Sequence, residues 1–289
     1  MWFIFALSNA LAESFKDVFG KKGADRFDAR TRAWAQHLFA ACLLLPLAAV
    51  VVGAPSFDRT FWLAAGGSLA INAVTSILYM RALALSPLSL VAPIVTLTPV
   101  FLLITSPLIN REFPSLLGII GVLVSVVGAY FLNAGERTHG WFAPFTALVR
   151  DRGSRAMLLV ALMWSVSAPL DKVAVQHSSP LWYTAIINVS LALVLLPLVI
   201  RGGRIRRVMT ASGLRTLCPI GIMSGISVAF QMTALSMTLV PYVIGVKRTS
   251  GLFGIIWGKL LFKETKIRER LLGAAIIVVG ALFILWATK

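Results

Sequence analysis

The strongest constraint on this chain is a succession of apolar runs, each about 20 residues long, which leaves little sequence between them for any other kind of structure. The runs cover approximately 2–19, 34–53, 61–81, 88–109, 115–133, 156–176, 181–200, 214–235, 239–262 and 271–288. Crossing a hydrocarbon core of about 30 Å takes roughly 20 mostly apolar residues as a helix. Backbone facing lipid must satisfy its hydrogen bonds within its own segment. The expected fold is therefore an all-α integral membrane protein, a bundle of about ten transmembrane helices. The longest gap, Ala134 to Arg155, is too short for a soluble domain. Composition agrees: 58% of residues are hydrophobic and only 13% charged, whereas a soluble domain is about half apolar and a quarter charged. A soluble enzyme is excluded.

Twenty-seven Lys and Arg against eleven Asp and Glu give a net charge of +16. In a polar protein that surplus points to nucleic acid. Here the basic residues lie between apolar runs, so the expected partners are membrane lipids with anionic headgroups, and no nucleic acid. Lys21, Lys22, Arg26, Arg30, Arg32, Arg81, Arg137, Arg150, Arg152, Arg155, Arg201, Arg204, Arg206, Arg207, Arg215, Lys259, Lys263, Lys266, Arg268 and Arg270 sort to one side, against Arg59, Arg111 and Lys289 on the other. The crowded side is cytoplasmic by the positive-inside bias, and an even number of spans then puts both termini outside. The expected location is a bacterial cytoplasmic (inner) membrane, crossed many times. The N-terminus lacks a basic n-region and its apolar run is interrupted by Glu13, Lys16 and Asp17, so the first segment is expected to stay in the protein.

Chemistry of the catalytic kind has nothing to rest on. Cys42 and Cys218 form no framework, and His37, His139 and His177 are dispersed without metal-ligand spacing. Neither an HExxH motif nor a phosphate-binding P-loop occurs. Gly225-Ile226-Ser227 resembles an intramembrane serine nucleophile only superficially, with no histidine partner in a later span. No catalytic residue, metal or cofactor is expected.

The chain repeats itself at a shift of 152 residues, as from Glu112 to Glu264. The shift lays Ala82-Leu83 on Ala234-Leu235, Phe101 on Phe253 and Arg111-Glu112 on Lys263-Glu264. Gly121, Val126-Val127-Gly128-Ala129 and Phe131 then meet Gly273, Val278-Val279-Gly280-Ala281 and Phe283 without a gap. A gapless register that includes charged and glycine positions exceeds what shared composition produces. Each half holds an odd number of spans, so the copies insert upside down relative to one another. The organisation expected is a first repeat over 1–135, a connecting loop over 136–155 and a second repeat over 156–289, each repeat with five helices. Inverted repeats are how many secondary carriers build two interconvertible states around a midplane site.

The pattern Tyr79-x-x-Ala82-Leu83, Pro99, Arg111-Glu112 and Gly121 to Gly128, with its second copy over Ala234 to Gly280, resembles the EamA unit of the drug/metabolite transporter superfamily. The resemblance covers nearly the whole chain. It implies two five-helix units and transport by alternating access, and it is specific for fold and weak for substrate. Superfamily members carry amino acids, sugars, nucleotide sugars, phosphorylated metabolites, choline-like cations and lipid-linked groups. They are usually drawn with both termini in the cytoplasm, opposite to the charge count.

Charges retained inside hydrocarbon usually pair or face an aqueous cavity. Lys247 and Arg248 lie about one third of the way into the span 239–262, where the first repeat has Val95 and Thr96. Matching interruptions flank them: Pro93 and Pro99 in one copy, Gly245 and Gly251 in the other. Paired interruptions point to a binding site, because proline removes a backbone donor and glycine permits local unwinding. Small-residue packing is the plainer alternative. Arg grips carboxylate or phosphate oxygens bidentately and Lys adds a compact charge, which suits an anionic group. The Lys-Arg dipeptide also resembles the phosphate-gripping pair of the triose-phosphate and nucleotide-sugar branches. Pairing with Glu13, Asp17 or Asp171, or snorkelling to the interface, are the structural alternatives.

Glu13, Lys16 and Asp17 share one face of the first span, and Asp171-Lys172 lie near the analogous end of the sixth. Glu13 sits deepest and is the candidate for proton coupling unless a cation holds it ionised. Tyr79, Trp164, Gln231 and Tyr242, with Glu13 and Asp171, complete the candidate substrate site, and Asn9 and Asn188 can add hydrogen bonds. The expected function is secondary transport of a small polar, anionic metabolite bearing carboxylate or phosphate, by proton coupling or exchange. A flippase-like translocator of a lipid-linked headgroup, or an exporter of amino acids or other small metabolites, is the alternative. Gly221-x-x-x-Gly225, Gly254-x-x-x-Gly258 and the seven-residue stripes Gly121/Gly128 and Gly273/Gly280 support helix packing, with a homodimer as a further expectation.

Overall fold

The computed structural model describes residues 1–23, 26–54, 56–86, 88–132, 150–262 and 268–288. Arg137, His139, Lys263, Glu264, Lys266, Lys289 and residues 136–149 of the expected connecting loop lie outside these. All regular structure among the described residues is helical: α1 (Trp2–Gly23), α2 (Ala29–Val51), α3 (Arg59–Leu85), α4 (Leu88–Val95), α5 (Thr98–Asn110), α6 (Leu116–Leu132), α7 (Arg152–Gln176), α8 (Pro180–Ile200), α9 (Ile205–Val208), α10 (Ala211–Leu235), α11 (Val240–Lys247), α12 (Ser250–Phe262) and α13 (Arg268–Trp286). Among the described residues, six stretches are long and apolar enough to cross a membrane: Ala29–Val51, Arg59–Leu85, Leu90–Asn110, Arg152–Gln176, Pro180–Ile200 and Ala211–Leu235. Leu116–Leu132 and Arg270–Trp286 are apolar but shorter. The protein is a multi-pass helical membrane protein built on two repeats. The other two expected spans are absent from both groups for visible reasons: α1 carries Glu13, Lys16, Asp17, Lys21 and Lys22, and the run from Val240 is broken between α11 and α12.

The chain packs as two compact units that do not coincide with the repeats. Unit 1 comprises Met1–Ala73 and Leu170–Met237, and unit 2 comprises Val74–Pro169 and Thr238–Lys289. In unit 1, α1 packs along α10, and α2 packs against both α8 and α10. Its core joins Phe27, Trp34, Leu195, Val199, Leu217 and Ile220.

In unit 2 the closest association is between α6 and α13, the fifth helices of the two repeats. A Cβ placed on Gly121 would come within 2.9 Å of Gly280 O, and one on Gly128 within 2.8 Å of Gly273 O. The reciprocal approaches hold: Gly273 faces Gly128 O at 2.8 Å and Gly280 faces Gly121 O at 2.7 Å. As α6 advances from 121 to 128, its neighbour retreats from 280 to 273, so the two equivalent helices run antiparallel. The sequence stripes are thus an internal seam in which missing side chains let backbones meet.

Prolines inside these helices release carbonyls that other groups take up. Pro169 has no N–H for Ser165 O, and the Thr105 hydroxyl donates to that oxygen at 2.6 Å.

Candidate functional site

The fourth span of the first repeat and its counterpart in the second are interrupted at equivalent places. Helix α4 stops at Val95 and α5 starts at Thr98, while α11 stops at Lys247 and α12 starts at Ser250. The hydrogen bonds across the breaks match at the 152-residue shift. The Leu97 N–H donates to Ile94 O and the Thr249 N–H to Val246 O, both tightened to three residues back. Val100 and Phe101 then bond to Leu97 O as Leu252 and Phe253 bond to Thr249 O. Such tight turns at the join of two half-helices leave carbonyls turned away from the ladder.

The interruption in the first repeat provides an acceptor for the second. Pro99 stands in the first turn of α5, where a proline is well tolerated, and it is also four residues beyond Val95. Having no N–H, it cannot bond Val95 O. The Thr98 hydroxyl donates to that oxygen at 2.8 Å and Arg248 Nη2 donates to it at 3.3 Å. A cation at a helix C-terminus also meets the negative end of the helix dipole. Lys247 and Arg248 are both half-buried, at the C-terminal end of α11. Guanidinium has five donors in a planar fork, the geometry that matches carboxylate and phosphate oxygens, and one of these donors goes to Val95 O.

Tyr79 and Trp164 lie in the same unit, with ring centroids 5.7 Å apart and planes tilted by 36°. Both pack on the apolar cluster of Ala82, Val91, Ile94, Met157 and Val160, on which Val95 also packs. The structure therefore brings Tyr79 and Trp164 together with the residue that holds Arg248. Tyr242 has a different setting: it is 2% exposed and its hydroxyl accepts the Ser115 N–H at 3.1 Å. A Cβ on Gly118 would overlap its ring. Gly245 and Gly251 likewise make room, for Ile284 and Leu132 respectively.

The Arg111-Glu112 pair has a local function. Arg111 ends α5 in the left-handed region at φ 55° and turns the chain back. Glu112 then accepts the Ser106 hydroxyl at 2.7 Å and the Val240 N–H at 3.0 Å, both on Oε2, and so caps the first turn of α11.

The remaining charged candidates belong to unit 1. Glu13 accepts from Lys16 Nζ at 2.5 Å, and Lys16 lies 3.8 Å from Asp17. The Ser227 hydroxyl reaches both Glu13 Oε2 and Asn9 Oδ1 at 2.8 Å, and the Asn9 amide donates to Gln231 Oε1 at 3.5 Å. Asn9 and Glu13 on α1 thus face Ser227 and Gln231 on α10, each pair four residues apart on its helix. Asp171 accepts from the Ser68 hydroxyl and, at 2.5 Å, from the Tyr183 hydroxyl. His37 Nδ1 lies 2.9 Å from Asn188 Oδ1, and the Asn188 amide donates to Thr184 O. Among the described residues no group of three His, Cys, Asp or Glu is disposed to hold a metal ion.

Sequence reasoning did not assign Val95, Ser68, Tyr183 or Ser227 as partners of the candidate residues. Only Val95 carried a readable signal, the proline four residues on.

Comparison with known proteins follows the same division into halves. The model of the EamA-like transporter family matches residues 1–134 and again 152–286. A solved crystal structure of another protein superposes with a TM-score of 0.79 over 99% of this chain and 97% of its own, at 14% sequence identity, which speaks for the fold. No curated protein matches.

Proposed function

The chain belongs to the EamA-like transporter family, a membrane transporter of the drug/metabolite type, and from that membership we propose that it carries a small anionic metabolite bearing carboxylate or phosphate. Lys247 and Arg248 are the residues assigned to the anion, with Tyr79 and Trp164 as an aromatic wall beside it. The observation that carries this reading is the position of the cationic pair at a helix interruption that has an equivalent in the other repeat. Half-helix ends present backbone and side-chain polar groups where substrates of broken-helix carriers bind. The hydrogen bond from Arg248 to Val95 O adds support, because a charge retained beside hydrocarbon is oriented rather than left to snorkel. Transport proceeds in this reading by alternating access in a bacterial cytoplasmic membrane, by exchange or with a coupled proton.

The test is thermal unfolding of the purified protein against a panel of phosphorylated, carboxylated, zwitterionic and cationic metabolites. Stabilisation confined to the anions, and lost in both Lys247→Ala and Arg248→Ala while the variants stay monodisperse, is the expected result. Stabilisation by cations, or by anions equally in both variants, rejects the assignment. Counterflow of a stabilising anion in proteoliposomes then separates a carrier from a translocator that moves only lipid-linked groups.

A further inference from the structure

Among the described residues, Glu13, Glu112 and Asp171 are carboxylates inside or against the helical core, and each has a different environment. Glu13 has a cation on it: Lys16 Nζ is 2.5 Å away and the side chain is 18% exposed. Glu112 accepts the first N–H of α11, where the helix dipole favours a negative charge. Asp171 has neither. It is 8% exposed, and its hydrogen bonds come from two neutral hydroxyls, Ser68 of α3 and Tyr183 of α8. Both end on Oδ1, so Oδ2 takes neither bond.

The charged and titratable groups around Asp171 can be named element by element. From α8 the facing group is Tyr183 and from α3 it is Ser68, itself bonded to the Asn72 amide at 3.0 Å. On its own helix Lys172 is the next residue, about 100° around the helix axis. His177, at the end of α7, is engaged by Asp58 at 2.7 Å, and His37 of α2 by Asn188. Among the described residues no cation makes an ion pair with Asp171.

We propose that Asp171, rather than Glu13, is the carboxyl that takes up and releases the exchangeable proton of this transporter. The geometry accommodates both states. The proton binds Oδ2 while Ser68 and Tyr183 stay bonded to Oδ1, so loading and unloading breaks no hydrogen bond in the protein. Glu13 has less latitude, because protonating it would neutralise the partner 2.5 Å from the half-buried Lys16 ammonium, whose other carboxylate neighbour, Asp17, is 3.8 Å away. Burying a charge without compensation is costly, and a lone carboxyl among hydroxyls avoids that cost by carrying the proton. The inference rests on the transport reading but is independent of the substrate, and its test uses no substrate.

The test is infrared difference spectroscopy of the whole protein in lipid, titrated with pH, reading the carbonyl stretch of a protonated carboxylic acid. A titrating band in the wild type that is lost in Asp171→Asn and kept in Glu13→Gln and Glu112→Gln supports the proposal. Tyr183→Phe retains Asp171 and removes one hydroxyl donor; it serves if Asp171→Asn fails to fold, and a shift of the band to higher frequency is the supporting result there. A band that persists in Asp171→Asn, disappears in Glu13→Gln, or is unmoved in Tyr183→Phe overturns the assignment. Failure of the anion screen would leave this spectrum unaffected, so the two readings fall separately.

Discussion

Arg248 donates through Nη2 to the carbonyl oxygen of Val95 at 3.3 Å, and Val95 occupies in the first repeat the place that Lys247 occupies in the second. One copy has an apolar residue whose carbonyl is released by a proline; the other has the cation that takes it. The two repeats thus place different side chains on two equivalent backbone turns.

Pro99→Ala tests this directly. Alanine restores the N–H that Val95 O lacks, so α4 and α5 can close their ladder and the oxygen is shared or lost to Arg248. The expected outcome is a protein that gains less stabilisation from anions, while its stability without ligand changes by no more than about 1 kcal/mol, because Pro99 stands in the first turn of α5. Thermal unfolding with and without the anion reads both effects. A less stable variant with undiminished anion response would show that the proline does not set the Arg248 acceptor.

The glycine seam gives a sharper stability contrast. A Cβ on Gly273 would approach Leu132 N at 2.4 Å, backbone that cannot swing aside, whereas one on Gly254 meets nothing within 4 Å. Gly273→Ala is expected to cost about 1–3 kcal/mol from overpacking. Gly254→Ala should be neutral or slightly stabilising, as alanine is the better helix former. Melting curves of the two variants in one detergent decide it; equal losses would mean that α6 and α13 are less closely packed than described.

Glu112 allows a capping test. Removing an N-cap acceptor typically costs about 0.5–2 kcal/mol, so Glu112→Ala is expected to lower the melting temperature, with Glu112→Gln retaining most of it because the amide oxygen still accepts the Val240 N–H. Amide hydrogen exchange at Val240 should rise in the alanine variant alone. Unchanged exchange there would remove the cap from the account.

Asp58 supplies a pH dependence. Its carboxylate accepts the Phe61 N–H at 2.8 Å, and that bond holds its pKa below the ordinary 3.8; the loss of some hydration beside the protein pulls the other way and the His177 contact adds to the lowering. A depressed folded value means stability that is fully present above 3.8 and is lost as the pH falls through the lower folded value. Melting temperature against pH should therefore decline below that point in the wild type and less so in Asp58→Asn. Parallel curves would contradict the assignment.

Much of the architecture was legible because membranes restrict what a chain can do. The apolar runs, the 152-residue register and the positions of Pro93, Pro99, Gly245 and Gly251 are local or periodic features, and the helix ends at Val95 and Lys247 lie within them. The span count was less legible, since α1 is dense in charge and α11 ends early. The side-chain partnerships were legible least of all. Ser227 meets Glu13 from 214 residues away and Ser68 meets Asp171 from 103. Nothing in the local pattern around Tyr242 announces that its hydroxyl is taken up by Ser115 and its ring by Gly118.

The pairing of Gly121 with Gly280 and Gly128 with Gly273 has an architectural corollary. A face that seats its own reversed counterpart is self-complementary about a two-fold axis. A polypeptide of one half alone, inserted in either orientation, would already possess the surface on which an oppositely oriented sister could dock. Joining two such halves in one chain fixes their stoichiometry and lets the two copies differ in sequence, as Val95 and Lys247 do at equivalent positions.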